Sequence, residues 1–186
     1  MRLFGYARAT QPADAVNLVV GRLGATFIAG GTDLLNLMKE GAEAHDLVVD
    51  INPIPWRNVD PQAGRLRVGA LARMSDVAVH PVVRERLPVL SQALLASASP
   101  QLRNVASIGG NLLQRTRCWY FRDSSSPCNK REPGSGCSAI EGQNGRHAIL
   151  GGSDACIAVH PSDPRGYRAS SIDLFTIKKR IRSRTP

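Results

Sequence analysis

Between Ala13 and Leu23 the apolar residues Val16, Val19, Val20 and Leu23 recur at helical spacing, with Thr10 placed to cap the start and Gly24 to end the pattern. The run "TFIAGG" then predicts a short strand, "TDLLNLMKEG" a helix with Thr32 at its N-cap and Gly41 past its end, and "DLVVDI" a buried strand. The first fifty residues therefore read as a βαβ unit. "NPIPWRNVDPQAG" reads as a Pro-rich linker with a boundary near Pro53, and "RLRVGAL" alternates as a strand does. Ser75 can cap a helix over "DVAVH", and Pro81 and Pro88 interrupt the helical periodicity of "VVRERLPVLSQALLASAS". "VASIGGNLL" predicts a strand running into a glycine turn, and "HAILGG" and "CIAVH" two further short strands.

A chain of 186 residues with 42% apolar content can bury a core as one medium domain or two small ones. Low aromatic content, no apolar run of about 18 residues and no signal-peptide pattern at "MRLFGYARAT" predict a soluble protein without an export signal of its own. The net charge of +9 invites a nucleic-acid reading, but residues 164–186 hold seven cations against one anion. That leaves 17 Lys and Arg against 14 Asp and Glu in the first 163 residues, with the signs interspersed, so the body is not a basic protein.

The chemistry begins at "FIAGGTDLL". A strand that ends in two glycines and leads into a helix presents free backbone N–H groups, which suits a phosphate. Gly30 and Gly31 would let the backbone approach an anion and Thr32 could add a hydroxyl, while Asp33 would face a sugar or hydroxyl. The alternative is a plain strand-to-helix turn, since the full dinucleotide fingerprint is absent. "SIGGN" and "LGGSD" repeat the paired glycines, and two such turns converging on one ligand would make a nucleotide site; singly, each reads as a bulge or hairpin turn. His45, His80, His147 and His160 fall in unrelated contexts and read as surface or satisfied histidines. No nucleophile elbow, Walker loop or paired-carboxylate signature supports hydrolase chemistry.

The four cysteines are spaced C-x9-C-x8-C-x18-C, three of them in the Pro-, Ser- and Gly-rich stretch "CWYFRDSSSPCNKREPGSGC". Spacing leaves metal or cluster ligation, disulfides and unrelated buried thiols open; the missing secretory signal disfavours disulfides, and the missing C-x2-C pairs disfavour zinc. Wide spacing suits an iron-sulfur cubane wrapped by a long loop. Arg115, Arg117, Lys130 and Arg131 could offset a thiolate-ligated cluster's charge or belong to a solvated basic loop. A competing class is a small module whose thiolates hold zinc and whose basic tail contacts nucleic acid.

Taken together, "FIAGGTDLLNLMK", "QLRNVASIGGNLLQRTRCWYF", "PCNKREPGSGCSAIEG" and "CIAVHPSD" resemble the FAD-binding subunit of the molybdenum hydroxylases. More narrowly they resemble the periplasmic aldehyde oxidoreductase branch of the xanthine dehydrogenase family, whose flavin subunit carries a cluster-binding insertion; the likeness spans residues 1–163. It implies an α+β FAD-binding fold of the molybdopterin dehydrogenase type, with a small N-terminal βαβ subdomain at 1–53 and a larger mixed α/β subdomain at 54–163 that carries a cysteine-rich loop at 115–156. It implies that Ile28, Ala29, Gly30, Gly31, Thr32, Asp33 and Leu34 hold the FAD pyrophosphate, that Ser107, Ile108, Gly109, Gly110 and Asn111 form a second wall, and that Asp163 contacts the FAD. It also implies that Cys118, Cys128, Cys137 and Cys156 ligate a 4Fe-4S cluster.

The same resemblance implies an electron-transfer role with no catalytic side chain in this chain. Substrate would react at a molybdenum cofactor in a large subunit, and electrons would pass through 2Fe-2S clusters of a small subunit to this FAD and on to an external acceptor, with neither nucleic acid nor membrane as partner. Co-export on a partner's signal would place the complex in the periplasm; otherwise it is cytoplasmic. After Asp163 the chain departs from the family with "PRGYRASSIDLFTIKKRIRSRTP", so the sequence predicts a flavin fold incomplete at the C-terminus and a disordered basic tail at 164–186.

Overall fold

The computed structural model describes residues 1–63, 65–162 and 172–174. Three short strands, β1 (Gly5–Arg8), β2 (Ala25–Ile28) and β3 (Leu47–Asp50), form a parallel sheet in the order β1-β3-β2. Helix α1 (Pro12–Val19) follows β1, and α2 (Leu34–Glu40) is the crossover from β2 to β3. That crossover is the βαβ unit expected from the sequence. β3 is central and its Val48 and Val49 are buried, as a strand paired on both edges requires.

Element ends follow local chemistry more than periodicity. α1 starts on Pro12, whose ring sets φ and whose missing N–H is not needed there; Gln11 rather than Thr10 holds the N-cap position, without a side-chain bond. The helix stops at Val19, so Val20 and Leu23, expected on its buried face, are exposed. α2 begins after Asp33 rather than Thr32, and closes as expected on Gly41, at φ +75°, whose amide donates to the Leu37 and Met38 carbonyls.

The Pro-rich linker contains a strand. β4 (Val59–Gln62) pairs antiparallel with β5 (Arg65–Val68), with Pro61 opposite Leu66. β4 is an edge strand, so the absent Pro61 N–H leaves the ladder intact. β6 (Ile172–Leu174) pairs parallel with the other edge of β5; these are the only described residues of the segment expected to be disordered.

Four helices follow β5 in the chain. They are α3 (Met74–Val79), α4 (Pro81–Arg86), α5 (Pro88–Ala96) and α6 (Pro100–Arg103), and three of them begin on proline. Arg73, not Ser75, occupies the N-cap position of α3. "VASIGGNLL" is not a strand but leads into helix α7 (Ile108–Leu113): Ser107 accepts the Gly110 amide on its Oγ at 3.1 Å, and that cap outweighs the strand preference of Val105 and Ile108. Two single-turn helices, α8 (Trp119–Arg122) and α9 (Ser138–Glu141), punctuate the cysteine loop. "HAILGG" and "CIAVH" are not strands either; they are joined by the Ala148 amide bonding the Ile157 carbonyl at 2.9 Å.

Hydrophobic burial falls into three clusters. One, around Ala9, Ala15, Val49, Ile54 and Leu71, lies under the first sheet; another, around Val68, Met74, Val77, Val83 and Leu94, holds the second sheet to its helices. The third is small and bears on function: Leu37 of α2 and Ala42 just beyond it pack against Phe121 and Cys128 of the cysteine loop. Phe121 is fully buried, which stabilises the docked loop by about 2 to 3 kcal/mol.

Candidate functional site

The turn after β2 and the turn before α7 meet. A Cβ on Gly30 would strike the Val105 carbonyl oxygen and come within 3.0 Å of the Ala106 Cα, so only glycine permits this approach. Arg73 donates to the same Val105 carbonyl. Gly31, at φ +70°, then turns the chain toward α2. The amides of Gly30, Gly31 and Thr32 donate to no acceptor among the described residues, and these residues are half-buried. Uncommitted amides beside a glycine-lined approach are what an anionic ligand uses.

Both turns are braced from behind. The Asp50 carboxylate at the end of β3 accepts the Asn52 amide at 2.9 Å and the Asn52 side chain at 2.7 Å, and Asn52 Nδ2 also donates to the Ala29 carbonyl at 2.8 Å. Tyr6 donates its hydroxyl to Asp50 at 2.7 Å. Burial works against charge on Asp50, but the bonds from Asn52 and Tyr6, with Arg8 nearby, outweigh it and hold its pKa below the ordinary carboxylate value. In the second turn, Ile108 and Gly109 donate to the Ala72 and Ala70 carbonyls at 2.9 and 2.8 Å, and a Cβ on Gly109 would lie 2.9 Å from Ala70 oxygen. The Ser162 hydroxyl donates to Asn111 Oδ1 at 2.6 Å, which brings the "HPSD" segment to this wall; Asp163 lies outside the described residues.

Asp33 is tied to the cysteine loop: one of its carboxylate oxygens accepts the Arg122 guanidinium at 2.9 Å and the other the Arg115 amide at 2.8 Å. Arg122 also pairs with Glu40 at 2.9 Å. The first glycine turn and the cysteine loop are thus joined by charge-assisted bonds.

All four cysteines are free thiols, and all four line one cavity, together with Thr116, Phe121, Lys130 and Ala139. Cys128 and Cys137 face each other across an antiparallel bridge, and Cys156 turns back through a bridge to Ser153. Among the described residues no three His, Cys, Asp or Glu side chains are grouped closely enough for a single metal ion. Burial pushes the Cys118 thiol up from its ordinary pKa, and the nearness of Cys128 and Cys137 adds to that shift against the opposing Phe121 and Tyr120 amides.

Of the four cations expected near the cysteines, two work as scaffold. Arg131 donates to the Tyr120, Phe121 and Ser126 carbonyls, and Arg115 pairs with Glu43 at 2.6 Å while lying 5.3 Å from the Phe121 ring centroid. Lys130 lines the cysteine cavity, and Arg117 bonds Gln114 at 3.2 Å. Asp123 gathers the Ser125 amide and the Ser125 and Ser126 hydroxyls, which hold its pKa down to about 2 and tie the loop to itself.

Residues 2–165 match the family described as the FAD binding domain in molybdopterin dehydrogenase. The chain belongs to this family. It is 53% identical over 164 residues to the aldehyde oxidoreductase FAD-binding subunit PaoB of Escherichia coli K12, covering 88% of this chain and 52% of that protein. It is 36% identical over 112 residues to the carbon monoxide dehydrogenase medium chain of Hydrogenophaga pseudoflava, covering 59% of this chain and 39% of that one. The solved structure of the Hydrogenophaga enzyme lacking the Mo-pyranopterin moiety aligns with a TM-score of 0.57 at 33% identity, over 59% of this chain and 39% of that one. The chain thus spans about half the length of PaoB, and less of the other two.

One residue of the site carries no motif. His147, read from the sequence as unrelated to the cysteines, places its ring Nε2 3.1 Å from Cys118 Sγ. No local pattern signals it, because 29 residues separate the two.

Proposed function

We propose that this chain is the electron-transfer subunit of a molybdenum-containing oxidoreductase of the aldehyde or xanthine type, binding FAD and a 4Fe-4S cluster. The observation that carries the reading is the Gly30 approach to Val105, which sets two glycine turns against each other beside uncommitted amides. Ile28 to Leu34 would hold the FAD diphosphate, Ser107 to Asn111 would form the facing wall, and Asp163 would add a contact beyond Ser162. In this reading Asp33 acts through Arg122 and Arg115 rather than on the flavin.

Cys118, Cys128, Cys137 and Cys156 would ligate the cluster. Their shared cavity supports this. When bound, the FAD supplies the exchange between single electrons and electron pairs; the chain's own residues position the cofactors and exclude water. The molecular division follows the same reading: 1–53 as the βαβ flavin-binding part, 54–163 as the second flavin-binding part with the cluster loop at 115–156, and 164–186 as a basic tail.

Partners would be a large molybdenum-cofactor subunit, where substrate reacts, and a small 2Fe-2S subunit that delivers electrons for an external acceptor. The complex would work in the periplasm after co-export on a partner's signal, or in the cytoplasm. The competing zinc module with a nucleic-acid-binding tail finds no support: the cysteines do not converge on a single-ion site among the described residues. Anaerobic purification of the chain, with flavin, iron and acid-labile sulfide analysis, tests the reading. Flavin and a cluster are expected in the folded protein; a folded protein holding zinc, or neither cofactor, would overturn it.

A further inference from the structure

His147 is pinned against the cysteine cavity by its own backbone. Its amide donates to the Asn144 carbonyl at 2.8 Å, and the next amide, Ala148, bonds the Ile157 carbonyl at 2.9 Å, immediately beyond Cys156. Among the described residues the ring makes one polar contact, Nε2 to Cys118 Sγ at 3.1 Å, and its buried Nδ1 has no partner. A proton on Nδ1 would bury an unsatisfied N–H and turn the Nε2 lone pair toward the sulfur. With Cys118 as a thiolate, the favoured tautomer carries the proton on Nε2 and donates it to Sγ.

We propose that His147 is a positioning residue that donates a hydrogen bond from Nε2 to Cys118 Sγ and thereby raises the reduction potential of a cluster held by the four cysteines. The proposal rests on the cluster reading above. Reduction by an external one-electron donor adds one negative charge to the iron-sulfur unit, with no bond broken and no ligand lost. A donor to a ligand sulfur draws off part of that charge and so favours the reduced form, as hydrogen bonds to sulfur do in iron-sulfur proteins generally. The Tyr120 and Phe121 amides already point to Cys118, so His147 adds a side-chain donor to a backbone pair.

The test uses the full chain reconstituted anaerobically with iron and sulfide, and compares wild type with His147→Leu, His147→Gln and His147→Asn. Iron and sulfide content is measured first, then the potential by dithionite titration followed by electron paramagnetic resonance. At a fixed potential the reduced-to-oxidised ratio of His147→Leu should fall about tenfold, which is about 59 mV for a one-electron couple. Gln carries an N–H at the reach of Nε2 and should stay near wild type. If Leu fails to retain iron, Gln and Asn decide, because the shorter Asn amide stops short of Sγ and should titrate like a lost bond. Equal potentials across loaded variants overturn the role of His147 alone. A folded wild-type chain that takes up no iron overturns the cluster reading, and this proposal with it.

Discussion

The Arg122 guanidinium meets the Asp33 carboxylate at 2.9 Å, so the helical turn that follows Cys118 is tied directly to the turn that follows Gly31. Both side chains are mostly buried, at 16% and 18% exposure, and Arg122 reaches Glu40 with its other nitrogen. Burial disfavours charge on Arg122, but its bonds to Asp33 and Glu40 outweigh that and raise its pKa. The cradle and the cysteine loop therefore share one electrostatic joint.

Breaking that joint should loosen the loop. Arg122→Met leaves Asp33 with only the Arg115 amide and should destabilise the loop by about 2 kcal/mol, the usual loss for a charge-assisted bond between shielded groups. Hydrogen exchange should quicken in α8 and around Cys128 while the second core stays protected. Unchanged exchange at α8 would show that Phe121 packing alone holds the loop.

Gly30→Ala tests the cradle. Its Cβ would be forced onto the Val105 carbonyl, at a cost of about 1 to 3 kcal/mol, and would push the two turns apart. Flavin bound per chain should fall severalfold. Gly41→Ala is the control: nothing lies within 4 Å of its Cβ, and its φ of +75° costs about 1 kcal/mol, so melting should drop while flavin content holds. Equal flavin loss in both would point to general instability.

On the proposed cluster reading, Cys128→Ser should abolish iron binding and spare the flavin. Cys128 lines the cysteine cavity and packs in the small third core, whereas the glycine turns rest on other contacts. Iron and acid-labile sulfide should fall at least severalfold with flavin unchanged. Retention of full iron in this variant would remove Cys128 from the ligand set.

Asp50 makes the first sheet acid-sensitive. Its folded pKa is depressed, so its contribution is fully present above the unfolded carboxylate value of about 3.9 and is lost as pH falls through the lower folded value. Urea unfolding of wild type against Asp50→Asn should show a gap at neutral pH that narrows below about pH 4. A pH-independent gap would mean the carboxylate charge contributes nothing. Tyr6→Phe, which removes one donor to that carboxylate, should narrow the same gap at neutral pH.

Much of the architecture was legible from local pattern. The βαβ crossover, the glycine stop at Gly41 and the helix breaks at Pro81 and Pro88 need only a few neighbouring residues to specify them. β1 escaped notice because four mostly exposed residues show no alternation, and β4 because Pro61 and Pro55 read as linker until β5 is there to pair with. "SIGGN" read as a strand end because the Ser107 cap, a single hydrogen bond, decides between two states of similar propensity.

What the sequence by itself determined was the kind of chemistry: paired glycines after apolar runs, and four thiols spaced too widely for a single tight turn. Which turns meet, and what each polar group touches, was decided only in three dimensions. Asp33 finds Arg122 across 89 residues, Ser162 finds Asn111 across 51, and His147 finds Cys118 across 29. No periodicity encodes such pairs, because they form only once the sheets and the Phe121 core have already brought the segments together.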